Sequence, residues 1–262
     1  MQKIENQDLN LEKIKDDLII ELINVKKNYG SNKILKGINL EIKSGDRIGV
    51  IGPNGAGKST LSEIITGIRK PSSGNIVKKE NLKIGIQFQE SKYPVGITVY
   101  DLILYYLEIY SIKMTKNELE ALMQTYQILD LKNKSLEKLS GGQQQRVNIM
   151  LGLIHNPDFV IFDEISTGLD IEVRQSIFDF IKEMVIDKGK SMILVTHMMQ
   201  EIEDMCNKFV YIYDGKILEC GEINDLIEKY GSVHNYTWEM FKKYKHKKRR
   251  NLTKKKINLT KF

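Results

Sequence analysis

From Leu18 onward the chain alternates short apolar runs with turn residues. Leu18–Val25, Ile34–Ile42 and Arg47–Ile51 read as strands, separated by Tyr29-Gly30-Ser31-Asn32 and Lys43-Ser44-Gly45-Asp46. Phe159–Phe162 and Met192–Val195 are almost wholly apolar, which suits strands buried on both faces of a parallel sheet. Between these groups, Val99, Leu102, Ile103, Tyr106, Leu107 and Tyr110 recur at the spacing of one helical face. Thr98 with Asp101 supplies a cap for that helix. Thr115 with Glu118 starts a second helix carrying Leu119, Leu122, Met123 and Tyr126. The periodicity predicts an α/β chain without internal repeats. Residues 1–17 form a polar, weakly patterned extension.

Composition narrows the classes. The chain has 262 residues, 41% apolar and 28% charged, which is ordinary globular usage and excludes wholesale disorder or collagen-like repetition. No run approaches the roughly 18–20 apolar residues needed to cross a bilayer, and Met1–Asn10 carries acids and lacks the apolar centre of a secretory signal. Cys206 and Cys220 alone cannot make a disulfide framework, which fits a reducing compartment. The net charge of +6 is a sum of two unlike regions. Residues 241–262 hold eleven Lys or Arg and no acid, while residues 1–240 hold 29 basic and 34 acidic residues, a net −5. A globally basic, nucleic-acid-binding body is therefore excluded.

Three local patterns carry chemistry. Gly52-Pro53-Asn54-Gly55-Ala56-Gly57-Lys58-Ser59, followed by Thr60, is a G-x-x-x-x-G-K-S loop directly after the strand Arg47–Ile51. Its glycines let successive backbone N–H groups point at phosphate oxygens, and the following helix, Lys58–Thr66, offers its positive end to the same anion. Lys58 can reach β- and γ-phosphates, and the Ser59 hydroxyl is placed to ligate Mg²⁺. Phe159-Val160-Ile161-Phe162-Asp163-Glu164 is a buried strand ending in two carboxylates at the sheet edge where the loop also lies. Asp163 would hold Mg²⁺ through its water shell and Glu164 could polarise an attacking water. Taken alone, Asp-Glu after a strand could equally start the next helix, and the phosphate loop earlier in the chain tips the reading to function. Leu139-Ser140-Gly141-Gly142-Gln143 precedes an apolar-periodic helix containing Val147, Ile149 and Met150. Ser140 with Gln143 has capping-box spacing, so this is a helix start, and its exposed glycine amides make a second anion site.

With these motifs in this order, the sequence resembles the nucleotide-binding subunit of ATP-binding cassette (ABC) proteins, from about Ile19 to Glu228. Gly52–Thr60 matches the family's Walker A, Phe159–Glu164 its Walker B and Leu139–Gln143 its signature. Tyr29 stands where the family stacks an aromatic ring on adenine. Gln89 matches the glutamine that senses Mg²⁺ and the attacking water. Gln87 lies close by in the same run, and the spacing to the helical segment favours Gln89. Asp170, in Ser-Thr-Gly-Leu-Asp, matches the D-loop, and His197 the switch histidine at the γ-phosphate. The family usually has proline after the Walker B glutamate; this chain has Ile165, a change in a turn-shaping position without chemistry.

The resemblance implies a P-loop NTPase fold: a RecA-like, mostly parallel sheet core, an N-terminal antiparallel β subdomain and an α-helical signature subdomain at about residues 90–150, all within residues 18–240. It implies ATP and Mg²⁺ as ligands, with Ser59, Gln89 and Asp163 around the metal. It also implies head-to-tail dimers with ATP between one Walker A and the partner's signature, the partner being an identical chain or a paralogue. Transport would need separate membrane permease chains, docked near Ser91–Tyr110, where Tyr93, Val95, Ile97, Tyr100 and Tyr106 compete between groove and core. The chain would then lie on the cytoplasmic face of the cell membrane. The short separation of Lys58 from Gln89 and the lack of a further domain after His197 look more like exporter-type subunits than sugar importers. A soluble ABC ATPase, such as an iron–sulfur assembly or nucleic-acid-associated ATPase, is the alternative.

The tail completes the picture. Lys242, Lys243, Lys245, Lys247, Lys248, Arg249, Arg250 and Lys254–Lys256 make a polybasic end to residues 241–262. It reads as a solvated, disordered segment, as one drawn to anionic lipid head groups, or, third, as one drawn to the phosphates of RNA or DNA. Aromatic residues there are too sparse for base stacking, so nucleic acid is not the expected partner.

Overall fold

The computed structural model describes residues 17–87 and 93–244. The first apolar runs form β1 (Leu18–Tyr29) and β2 (Asn32–Lys43), an antiparallel pair with Leu22 opposite Leu40 and Tyr29 opposite Asn32. β4 (Ser73–Lys78) pairs with the other edge of β1, completing a three-stranded antiparallel sheet. A second sheet of six strands has the order β5-β6-β7-β3-β8-β9. Its members are β3 (Arg47–Ile51), β5 (Ile84–Gln87), β6 (Phe159–Asp163), β7 (Ser191–Val195), β8 (Lys208–Tyr213) and β9 (Lys216–Glu222). Every pairing in it is parallel except the terminal β8–β9 hairpin.

The continuous apolar runs make sense once both faces of this sheet are covered. Side chains alternate between faces at period two. Phe159, Ile161, Ile193, Val195, Val210 and Ile212 join a core shared with β1, β2 and α1 (Lys58–Thr66). Val160, Phe162, Met192, Leu194, Phe209 and Tyr211 join a core on the opposite, helical side. An amphipathic strand could not serve here, because neither face meets water.

The helical side holds α2 (Val99–Ile109), α3 (Lys116–Thr125), α4 (Gly141–Leu153), α5 (Ile171–Ile181), α6 (Met199–Met205) and α7 (Ile223–Tyr230). A π-helical turn, Lys182–Ile186, continues α5. The expected caps form: Thr98 with Asp101, Thr115 with Glu118 and Ser140 with Gln143 are all reciprocal capping boxes. Tyr110 and Tyr126, read from periodicity as helical, are the C-cap residues of α2 and α3.

A last helix, α8, spans 233–244 and runs past position 240, where the basic tail was expected to begin. Packing explains the extension. The Tyr244 ring lies 4.9 Å from that of Tyr213, and its carbonyl accepts from the Tyr213 hydroxyl at 3.3 Å. The rest of the tail lies outside the described residues, as does the N-terminal extension up to residue 16. Of the groove candidates, Tyr93, Ile97, Tyr100 and Tyr106 pack partly against the helical-side core, whereas Val95 is 89% exposed.

Candidate functional site

β6, β7 and β3 are neighbours in the sheet, so their carboxyl ends meet although they lie far apart in sequence. Loops leaving that edge of a parallel sheet open the crevice in which ligands bind. The loop after β3 is Gly52–Gly57. A Cβ on Gly52 would sit 2.1 Å from the Ile212 carbonyl oxygen, so the loop can pass β8 this closely only as glycine. Gly57 caps α1 with φ 106°, in the left-handed region that favours glycine. The Ala56 N–H donates to the Pro53 carbonyl at 3.1 Å, which closes the turn around Asn54 and Gly55. The first bond of α1 runs from Leu61 N–H to the Gly57 carbonyl at 2.9 Å. The amides of Lys58, Ser59 and Thr60 therefore have no acceptor within the helix and can serve an anion.

Lys58 is folded back over this loop. Only 7% exposed, it donates from Nζ to the carbonyls of Gly52 and Pro53 at 2.9 and 3.3 Å. Burial pulls its pKa down, while the carboxylates of Glu164 and Asp163 push it back up. Asp163, 5% exposed at the end of β6, has its pKa raised by burial, partly offset by a hydrogen bond from the Ser59 side chain. Its Oδ1 is buried with no hydrogen-bond partner. A hydroxyl, a carboxylate with an orphaned oxygen and a ring of free amides suit a hard divalent cation bound together with phosphate oxygens. The residues therefore fit Mg²⁺.

Glu164 follows in an unusual backbone conformation, φ 56°, with its N–H bonded to the Val195 carbonyl at 2.8 Å. That bond ties it to the end of β7, and its Oε1 lies 3.0 Å from Nε2 of His197. Thr167 reaches Oε2 at 3.4 Å through its hydroxyl, a contact the sequence did not signal. Ile165 is buried at 2% in the helical-side core, so a bulky apolar side chain fills the position where the resemblance expected proline.

Tyr29 ends β1 with 43% of its surface exposed and with Lys27 Nζ and the Arg69 guanidinium 5.3 and 5.2 Å from its ring centroid. Ser140–Gln143 open α4. A Cβ on Gly142 would lie 2.4 Å from Val173, and one on Gly141 3.4 Å from Leu169. Asp170 sits in the same neighbourhood and caps α5, its Oδ1 accepting from the Val173 N–H at 2.9 Å. The signature turn and the D-loop residue are thus brought together. Gln89 lies in 88–92, outside the described residues, and its neighbour Gln87 is buried at the end of β5.

A sequence model of the ABC transporter family matches residues 35–167. The chain is similar to a linearmycin resistance ATP-binding protein of Bacillus subtilis, 31% identical over 225 residues covering 81% of this chain and 72% of that one. It is also similar to a spermidine/putrescine import ATP-binding protein of Spiroplasma citri, 34% identical over 214 residues, 78% of this chain and 61% of the relative. Among solved structures, an ATP-binding cassette dimer in a post-hydrolysis state with ADP and Pi matches at a TM-score of 0.68 and 28% identity. That match covers 78% of this chain and 98% of the other.

Proposed function

Because the chain belongs to the ABC transporter family, whose ATP-binding cassettes hydrolyse ATP to drive transport, we propose that it is the ATPase subunit of a membrane transporter, working through separate permease chains. The observation that carries the site assignment is the meeting of three strand ends: the loop holding Lys58, the buried Asp163 and the Glu164–His197 pair. Lys58 and the amides of Lys58, Ser59 and Thr60 take the β- and γ-phosphates. Ser59 and Asp163, with Gln89, would hold Mg²⁺, which when bound neutralises charge on those phosphates. Glu164 accepts a hydrogen bond from the attacking water and draws off its proton, while His197, at 3.0 Å, fixes the carboxylate and faces the γ-phosphate. Tyr29 offers its ring to the adenine base.

Completion of this site from a second copy or paralogue is the next element of the reading. Subunits of this family dimerise, and the first-turn amides of Gly141 and Gly142 at the start of α4 would serve as an anion site for a partner's nucleotide. ATP binding then favours the closed pair by contacts that ADP cannot make. Glu164→Gln keeps the size of the side chain and removes the base. It should bind ATP normally, hydrolyse it at least a hundredfold more slowly and accumulate as an ATP-dependent dimer in size-exclusion chromatography. Hydrolysis at the wild-type rate would remove Glu164 from its assigned role.

The finer reading is outward transport from a peripheral position on the cytoplasmic face. It is supported by the short Lys58–Gln89 separation and by the resistance role in the name of the Bacillus subtilis relative. Inverted vesicles carrying the chain and its permease should accumulate cargo on ATP addition; accumulation only in right-side-out vesicles with internal ATP would reverse the direction.

A further inference from the structure

Ser166 and Glu201 are each 3% exposed, and the Ser166 hydroxyl donates to Glu201 Oε1 at 2.6 Å. The second oxygen of that carboxylate, Oε2, is buried with no hydrogen-bond partner. A buried carboxylate with an unpartnered oxygen is a costly way to hold two segments together, and an apolar pair of similar volume would serve packing better. What the pair joins explains its presence. Ser166 follows Glu164 by two residues, and Glu201 follows His197 by four, on α6. The two segments so linked are the ones whose side chains meet as the Glu164–His197 pair at 3.0 Å.

Both ends of the link are stiff. On one side, Glu164 N–H is bound to the Val195 carbonyl and Leu169 N–H to the Ser166 carbonyl. On the other, the Thr196 hydroxyl accepts from the Met198 N–H at 3.0 Å, closing the turn that presents His197. The Arg47 guanidinium then donates to the Met205 carbonyl at 3.0 Å, fastening the far end of α6 to the start of β3. Ser166–Glu201 is a buried side-chain bond that spans from one stiff segment to the other, beside the more exposed Glu164–His197 contact.

We propose that Ser166 and Glu201 are positioning residues, a buried strut that sets the separation and orientation of Glu164 and His197 for ATP hydrolysis. The proposal rests on the ATPase reading above. Its consequence is specific: loosening the strut lowers turnover and leaves ATP capture alone, because loop 52–57 is built on other contacts.

The test is steady-state ATP hydrolysis with Mg²⁺, read as kcat and KM beside the thermal midpoint of each variant. Ser166→Ala should lower kcat at least tenfold with KM within threefold, and Ser166→Thr, which keeps the hydroxyl, should restore it. The variant carrying both Ser166→Ala and Glu201→Leu removes the buried charge along with its partner. Its thermal midpoint should return towards that of the parent while kcat stays low. Recovery of kcat together with stability would reduce the pair to packing and overturn the proposal, as would a Ser166→Ala enzyme with normal kcat. Should Ser166→Ala fail to fold, Glu201→Gln, whose amide oxygen still accepts from Ser166, is compared with the double variant. Near-normal turnover only in Glu201→Gln is expected, and equal turnover in both overturns the strut. A parent chain that hydrolyses no ATP would sink the ATPase reading itself, a result distinct from any of these.

Discussion

Asp163 is held at the end of β6 where burial raises its proton affinity, and that has a measurable consequence for the nucleotide-free protein. The folded chain keeps a proton that the unfolded chain releases. The stability this contributes is fully present below the ordinary carboxyl value of 3.8 and is lost as pH rises through the raised native value. Urea unfolding across that window should show stability falling with pH, and Asp163→Asn should flatten the fall. An unchanged slope in the variant would assign the effect elsewhere. Lys58 acts with the opposite sign in the alkaline range: its native pKa is lowered below 10.5, so stability rises as pH climbs from the lowered value towards 10.5. At this scale the sequence was informative where chemistry is written in a contiguous motif. Lys58, Ser59, Asp163, Glu164 and His197 were all readable, and the structure groups them at one sheet edge. Thr167, Ser166 and Glu201 were not, because nothing in a Ser-Thr pair or in a helix glutamate announces a partner brought near by folding. The positive φ of Glu164 was equally hidden. The same residue bonds through its N–H to the end of β7, a neighbour that periodicity does not name.

Elements with local causes were legible and those with distant causes were not. The capping boxes depend on residues three apart, and each predicted one formed. Ser140 shows what such a cap is worth. Its hydroxyl accepts from the Gln143 N–H at 3.3 Å, and its own N–H donates to Gln143 Oε1 at 3.2 Å. Ser140→Ala should therefore destabilise the chain by about 1 kcal/mol in urea unfolding. A loss well below half that would mean that solvent already satisfies the first turn of α4. By contrast, β4 has only Ile76 and Val77 as apolar side chains, and of Ser73–Lys78 Ile76 alone is even half-buried. It is a strand because β1 offers it an edge, with Leu22 opposite Ile76. β9 is likewise made by pairing with β8 and carries no apolar alternation strong enough to announce it. The apolar runs of β6 and β7 were recognised as buried strands, but only the sheet order explains their double-sided burial.

For the whole molecule, the separation of charge into an acidic body and a basic end remains the feature that composition alone disguised. We propose that residues 242–262 draw the subunit to anionic lipid, at on the order of 1 kcal/mol per basic residue near the surface. Removing residues 245–262 preserves α8, including the Tyr213–Tyr244 contact, and takes away most of the positive charge. Sedimentation with phosphatidylserine vesicles should fall at least tenfold in affinity, and the difference should vanish at about 1 M salt, where screening acts within about 3 Å. Equal binding with and without the segment would dismiss it as an anchor.

The sheet order also governs how the molecule can come into being. β3, which leads into the phosphate loop, pairs with β7 and β8, through residues 192–195 and 208–211. It pairs with neither β2 nor β4, its nearest neighbours along the chain, which belong to the other sheet. During synthesis an almost wholly apolar strand therefore leaves the ribosome long before the strands that will flank it exist. Contacts this remote in sequence make for slow closure, and an unpaired strand of this kind is prone to stray pairing while it waits. The antiparallel sheet of β1, β2 and β4 can close early from its own residues and give β3 a surface to rest against, through the core it shares with Ile48 and Val50. The nucleotide loop is thus written early in the chain and completed late, when β7 and β8 arrive on either side of it.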